Sequence, residues 1–547
     1  MAELIINQKE SWVADSIDGM LYTQRKGNLV KLDFNNDIQV IARKDWQKDK
    51  VALICGGGSG HEPAHAGFVG KGMLTAAVCG NLFAAPSVDA VLNAIVHVTG
   101  EKGCLVIIKN YTGDRLNFGL ACEKAKEMGL DVELVIVNDD ISIPDNPKPR
   151  GIAGTLFVEK IAGFYAEQGA TLSEVKMAAE HAIQETASIG IALTSCSLPE
   201  DKSDSRIAVG KAELGLGIHG EPGIETIDIA QCDKLVELMA EKLLAARPSK
   251  RHALMINNLG GLSPIEMNVV AKAAMESDLG KNTTCIVGPA ALMTAIDMKG
   301  FSLSILRLDD DLVTALFAKT ETESWPEVIK TQSIAVLPCE NQARKVEYIP
   351  SQNDSIAQAI NAVCQTLVGL ENELNRLDAI VGDGDTGSTF AAGAKKVLLE
   401  LDANNLPLND PGTLLNVIGE KLTTVMGGSS GVLLSIFFTA AGRELSYSGN
   451  AVEAFQAGLA RMMEYGGAKQ GDRTMIDALY PAFIALSNGS MLDAAEAAKR
   501  GAEETANMLK AKAGRSSYLN SDSLNGTKDP GAYAVECVFD SLSNITK

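Results

Sequence analysis

A cationic excess, paired cysteines and a long apolar run are all missing from this chain of 547 residues. Acidic side chains number 69 against 49 lysines and arginines, a net charge of −20. That balance excludes the basic face a nucleic-acid backbone demands and disfavours an anionic membrane surface. It leaves room for a phosphorylated small molecule, whose charge can be met locally or by a metal. The ten cysteines are scattered and form no CxxC pair, so neither a zinc site nor a redox dithiol is signalled. Many sit in apolar runs such as VALIC and GCLVII, where cysteine acts as a small buried hydrophobe. The opening MAELIINQKESW has no basic region followed by an apolar core, unlike a signal peptide. The longest apolar run, GVLLSIFFTAAG at 431–442, is too short to span a bilayer. A protein of the reducing cytoplasm is expected. No GxxxxGK[ST] occurs, which removes the commonest phosphate loop.

What is present describes an ordinary globular chain, with 46% hydrophobic and 22% charged residues. Its length suggests about three folding units. Residues 1–330 alternate apolar strand-like runs with helical patterns: KVALICGGG (50–58), CLVIIKN (104–110), then RLNFGLACEKAKEMG, then DVELVIVNDD (131–140). This predicts an α/β region with a largely parallel sheet. A second set begins near 189 and continues through HALMINNLGG (252–261), TTCIVGP (283–289) and FSLSILRL (301–308). Two α/β lobes with a seam near 185 follow. Residues 331–352 lack helical periodicity, carry Pro338 and Pro350, and read as a linker. Fully extended, those residues could reach roughly 70 Å, so the linker alone does not fix whether the halves meet within one chain or across a dimer. From 353 to 547 apolar residues recur at i, i+3 and i+4, which predicts an all-α domain of about eight helices.

The stretch RLDAIVGDGDTGST (376–389) sets Asp378, Asp383 and Asp385 beside glycines, with little cationic help. Such a cluster is best neutralised by a hard cation. An EF-hand does not fit, because position 12 from Asp383 is Ala394 where a carboxylate is needed. A loop curling three carboxylates toward one or two Mg²⁺ ions fits better, although Asp and Gly also form plain solvated turns. TTVMGGSSGVLLS (423–435) is a glycine–serine turn between helical patterns. It is either a simple helix–helix turn or an anion cradle at a helix N-terminus. Beside an acidic metal loop, the second reading points to a nucleoside triphosphate.

In the first half, GGGSGHEPAHAGF (56–68) follows a strand, but His61 replaces the third glycine of a dinucleotide fingerprint and no acidic partner follows. His61 and His65 concentrate here although the chain has only six histidines. Lys109 and Asp114 lie just past a strand end, where ligands of α/β sheets gather. His219 stands between glycines in GLGIHGEPG (215–223), placed to be a base, a nucleophile or a polar anchor.

Taken together, GGGSGHEP, KNYTGDRLNFG, GLGIHGEPG, NNLGG, GDGDTG, MGGSSG, GDRTMIDAL and DPGA occur in the order found in the single-chain, ATP-dependent dihydroxyacetone kinases, which this chain resembles over essentially its whole length. The resemblance implies a substrate domain of two α/β lobes and a nucleotide domain built as a barrel of eight helices. It implies that a histidine matching His219 adds to the ketone of dihydroxyacetone as a hemiaminal. Gly56, Gly57, Gly58 and Ser59 match substrate-lining positions, His61 a general base, and Lys109 and Asp114 contacts to the reacting hydroxyl region. Asp378, Asp383 and Asp385 match ligands of two Mg²⁺ ions. Thr386, Gly387, Ser388, Thr389, Ser429 and Ser430 match contacts to ATP, as do Gly471, Arg515, Asp529, Pro530 and Gly531. The segment GRSSYLNSDSLNGTKDPGA (514–532) departs from the family pattern in its middle. Expected partners are dihydroxyacetone and D-glyceraldehyde, in a homodimer. Two rival readings are a kinase that also cyclises FAD and a non-catalytic ketone-binding coregulator; the intact GDGDTG loop speaks against the second.

Overall fold

The computed structural model describes residues 4–34, 39–198, 207–221, 223–339, 346–513 and 524–545. The chain divides into two compact units, Met1–Val336 and Leu337–Lys547.

The first unit carries two sheets. Strands β1 (Leu29–Lys31), β2 (Gln39–Arg43), β3 (Ala52–Ser59), β4 (Ala76–Leu82), β5 (Cys104–Lys109) and β6 (Val132–Val137) stand in the order β1-β2-β4-β3-β5-β6. The run β4-β3-β5-β6 is parallel, and β1 and β2 add an antiparallel edge. Strand side chains alternate faces. Ala52, Ile54, Val106 and Ile108 therefore enter one core, under the helices Val88–Val98 and Thr112–Glu127. Leu53, Cys55, Leu105 and Ile107 enter another, which holds the helices Thr155–Glu167 and Leu172–Glu185. Burial on both faces explains why these strands are continuous apolar runs. β4 is not among the strands expected from the sequence, because AAVCGNL is rich in residues with weak strand preference.

The second sheet contains β7 (Thr186–Ala192), β8 (Lys211–Leu214), β9 (Glu225–Asp228), β10 (His252–Asn258), β11 (Thr283–Ala290), β12 (Gly300–Arg307) and β13 (Ile329–Lys330), in the order β13-β11-β10-β12-β7-β8-β9. Here the parallel pattern fails: among the described pairs only β10 and β11 run parallel. The connection 291–299 is too short for a crossover helix, which takes about a dozen residues, so β12 returns antiparallel beside β10. Ala253, Met255, Cys285 and Val287 share the core of the helix Thr155–Glu167, which is thus sandwiched between the two sheets.

The second unit is helical. Nine helices are described: Asp354–Gly369, Glu371–Val381, Thr386–Asp402, Pro411–Val425, Gly428–Ser448, Ala451–Gly466, Ile476–Asn488, Met491–Thr505 and Pro530–Ile545. The run 354–381, apolar at helical spacing throughout, forms two helices that part after Gly369, a residue suited to helix ends. Asp378 consequently lies inside the second helix rather than in the loop. The inner faces enclose an apolar cavity of about 680 Å³, lined by residues such as Phe390, Leu414, Phe437 and Phe539. Val346 and Tyr348, inside the expected linker, pack on this helical core. Among the described residues no helix is long and apolar enough to cross a membrane.

Candidate functional site

Strand β3 ends in Gly56, Gly57, Gly58 and Ser59. Gly56 lies too close to the Val78 carbonyl for any side chain, and a methyl group on Gly58 would sit 2.6 Å from the Ala84 nitrogen. Ser59 donates its hydroxyl to the Gly80 carbonyl at 2.7 Å. At Gly57 the backbone has φ +141, and a methyl group there would lie 2.7 Å from Lys109 Nζ and 3.3 Å from Asp114 Oδ2. Lys109, at the end of β5, and Asp114, in the first turn of the next helix, therefore converge on this glycine. Both are buried. Burial raises the Asp114 carboxyl, against the opposing pull of Lys109, His219 and His65.

Two histidines face one another across the same space, their ring centroids 4.8 Å apart. His61 donates Nδ1–H to the Thr294 carbonyl at 2.8 Å, which leaves Nε2 as an acceptor. That nitrogen is buried and has no partner among the described residues. Burial, then the charges of His219 and Lys109, hold the His61 pKa well below its ordinary value, so the ring stays neutral with its Nε2 lone pair available. His219 is held by Glu221, which accepts the His219 backbone N–H at 3.0 Å and lies 3.2 Å from Nδ1. With the proton on Nδ1, the His219 Nε2 lone pair is free to attack. Burial would raise the Glu221 carboxyl, but its bonds to His219 bring it down to about 2. Tyr111 and Phe83 close on the His219 ring edge-on, at 4.5 and 5.5 Å. The result is an aromatic-walled chamber on which two imidazoles, Lys109 and Asp114 converge.

In the helical unit, ligand oxygens of Asp378, Asp383 and Asp385 lie within 4.8 Å of one another. One oxygen of Asp378 accepts three backbone N–H groups, from Gly384, Asp385 and Thr386, at 3.0–3.1 Å. These bonds curl the loop so that all three carboxylates converge. Three hard oxygen donors so placed fit a divalent cation such as Mg²⁺. Thr386, Gly387, Ser388 and Thr389 form the first turn of the helix that follows Asp385. Gly387 packs against the Glu371 carbonyl, and Ser388 is tied to Asn375. Ser429 and Ser430 open the helix Gly428–Ser448, whose N-terminal amides have no helical partner. Asp529 caps the helix that begins at Pro530 and Gly531, accepting the Ala532 N–H at 2.8 Å. Burial lifts its carboxyl to about 6, with Arg473 opposing and Asp477 and Asp378 adding to the rise. Gly471 donates its N–H to Asp477. Arg515 lies outside the described residues.

Two family models match the chain: the Dak1 domain over residues 20–324 and the DAK2 domain over 380–544. The chain belongs to the dihydroxyacetone kinase family. It is 52% identical over 547 residues to a dihydroxyacetone kinase of Citrobacter freundii, with 99% of each chain covered. A mouse triokinase/FMN cyclase is 37% identical over 577 residues, covering 99% of this chain and 98% of the relative. The crystal structure of the C. freundii kinase in complex with AMP-PNP and Mg²⁺ matches with a TM-score of 0.74 at 50% identity, covering 100% of both chains. The chain is thus a phosphotransferase of this family, with an α/β part followed by a helical part.

Several side chains of the chamber escape a linear reading. Glu221 follows His219 by two residues and Tyr111 falls within KNYTG, yet neither announces its role. Phe83 and Thr294 come from loops remote in sequence. His65 is visible as one of two histidines near the glycines, but its partner Glu159 lies beside Lys160 in a largely apolar helix and carries no local signal.

Proposed function

We propose that this chain phosphorylates dihydroxyacetone, and D-glyceraldehyde as well, using ATP. The carrying observation is the His61–His219 pair: one ring offers a bare Nε2 base, and the other has its Nδ1 proton held by Glu221. His219 Nε2 adds to the ketone carbon, and the carbonyl electron pair moves to oxygen. That oxygen takes up a proton from solvent, and the His219 Nδ1 proton passes by way of Glu221 to solvent, giving a neutral hemiaminal with no net change of protons. Only a carbonyl compound can be held this way, so glycerol is rejected although its hydroxyls match. His61 Nε2 accepts the proton of the attacking hydroxyl, with Lys109 and Asp114 orienting the triose oxygens. Asp378, Asp383 and Asp385 would hold two Mg²⁺ ions, which when bound offset charge on the phosphates. Thr386–Thr389, Ser429 and Ser430 present amides and hydroxyls to the nucleotide, with Gly471, Arg515 and the Asp529–Gly531 turn beside it. On this reading residues 1–330 are the substrate domain, 331–352 the linker and 353–547 the nucleotide domain of a cytoplasmic homodimer.

Coupled ADP-release assays across dihydroxyacetone, D-glyceraldehyde and glycerol test the reading, with mass spectrometry of ketone-soaked protein. ADP release with the two trioses and a mass increase of one dihydroxyacetone are expected. Turnover of glycerol at the same efficiency would sink it. Gly57→Ala is expected to lower kcat/KM for the ketone by at least about tenfold, because the methyl group meets Lys109 and the backbone is strained at φ +141. Nucleotide affinity, measured calorimetrically, should not move. Because burial keeps His61 neutral, the acid limb of kcat/KM is expected to lie below the ordinary histidine value of 6.5; a limb at or above it would remove His61 as the base.

The likeness to a triokinase/FMN cyclase favours a second activity, the release of a cyclic flavin phosphate from FAD at the same acidic cluster. Incubation with FAD and Mn²⁺, read by chromatography of the flavin product, decides it.

A further inference from the structure

Behind the chamber runs a chain of buried polar groups. Glu159 is fully buried in the helix Thr155–Glu167, with Oε1 2.5 Å from His65 Nδ1. His65 Nε2 lies 2.7 Å from Lys109 Nζ, and Lys109 donates to the Gly56 carbonyl at 2.9 Å. An ammonium has donors only, so His65 Nε2 must accept, and the ring proton must stand on Nδ1, facing the Glu159 carboxylate. Burial and the charge of Lys109 favour the neutral ring, against the pull of Glu159. The other oxygen of Glu159 has no nitrogen or oxygen partner among the described residues, and only the weakly donating Cys55 thiol stands near the carboxylate. A carboxylate left half-satisfied in a dry core is a costly way to fill space, and an apolar residue would pack there at less expense.

From this geometry we infer that Glu159 and His65 are positioning residues for Lys109. Glu159 fixes the His65 tautomer, and that tautomer holds the ammonium against Gly57, beside Asp114. With the ring proton on Nε2 instead, His65 would turn a donor toward Lys109 and the contact would be lost. Hydrogen bonds within the described residues take two of the three Lys109 N–H groups; the third serves a triose oxygen, a step that rests on the substrate reading above. Cys55 lies close enough to make Cys55, His65 and Glu159 resemble a metal cluster. Both ring nitrogens of His65 are already engaged, and burial holds the Cys55 thiol protonated, so the cluster is a hydrogen-bonded relay and not a metal site.

Nuclear magnetic resonance of the full chain labelled with ¹⁵N-histidine reads the tautomer directly. An Nδ1–H tautomer for His65, with a strongly downfield ring proton that Glu159→Gln removes, is expected; an Nε2–H tautomer in the unmodified protein overturns the relay. Steady-state kinetics supply the second readout. Glu159→Gln is expected to lower kcat/KM for dihydroxyacetone by about 10- to 100-fold while the KM for ATP stays within twofold. Because Glu159 acts through His65, adding Glu159→Gln to His65→Gln should cost little further. Additive losses, or a folded Glu159→Gln variant within twofold of the parent, would refute the inference. If a variant fails to fold, the tautomer of the unmodified chain still decides. A parent that turns over no triose would refute the substrate reading and leave that tautomer measurable.

Discussion

His219→Ala is expected to lose at least about 10³-fold in kcat/KM for dihydroxyacetone, the scale on which removal of a covalent nucleophile acts. The residual activity should no longer discriminate between dihydroxyacetone and glycerol, since both would then be held by hydroxyl contacts alone. The other imidazole at hand is His61, whose bare Nε2 is assigned to take the hydroxyl proton. Tyr111, Phe83 and His61 surround the His219 ring, and the His61 Nδ1 proton is committed to the Thr294 carbonyl. Glu221 grips both the backbone and the ring of His219, so the alanine variant keeps the backbone half of that grip and the loop should stay in place. Affinity for the nucleotide, measured by calorimetry, is expected to be unchanged, because the mutated group belongs to the other compact unit. A folded variant that still prefers the ketone over glycerol would show that selectivity arises elsewhere in the chamber.

The second large effect is expected at the acidic bend. Asp383→Ala should weaken Mg²⁺-dependent nucleotide binding by at least about 100-fold, since it removes one of three converging oxygen donors from a hard-cation site. Asp378 cannot compensate, because one of its oxygens already accepts the Gly384, Asp385 and Thr386 amides that shape the bend. Removing metal from the parent with a chelator should reproduce the loss, and the variant should respond little to added Mg²⁺. Three carboxylates in one bend repel one another. In metal-free buffer the variant is therefore expected to unfold at the same temperature as the parent or higher. The ketone adduct on His219 should still form, as mass spectrometry can check. Undiminished affinity for a Mg²⁺–nucleotide analogue would displace the metal site from this bend.

How much of this was legible in the linear chain varies with the range of the interaction. The strands of the first sheet stand out because burial on both faces demands uninterrupted apolar runs such as VALIC and CLVIIK. β4 is hidden because AAVCGNL offers few of the β-branched residues strands favour, and the room Gly56 leaves for its Val78 carbonyl is not a sequence pattern. The antiparallel return of β12 is set by a short connection whose partner strand only the folded sheet reveals. The acidic bend is readable because its three carboxylates fall within eight consecutive residues, 378–385, where one turn brings them together. Even there, the break after Gly369 and the helical position of Asp378 needed the structure.

Local spacing and residue chemistry determined the strand–helix alternation of the first half, the helical second half, the convergence of Asp378, Asp383 and Asp385, and the candidacy of His61, Lys109, Asp114 and His219. The fold alone decided which nitrogen of His61 and of His219 is free, that Thr294 and Glu221 fix those choices, and that Glu159 reaches Lys109 through His65. Proton position in a buried ring depends on what lies within about 3 Å of each nitrogen. Those neighbours come from segments as far apart as residues 61 and 294, and a sequence carries no distance between them.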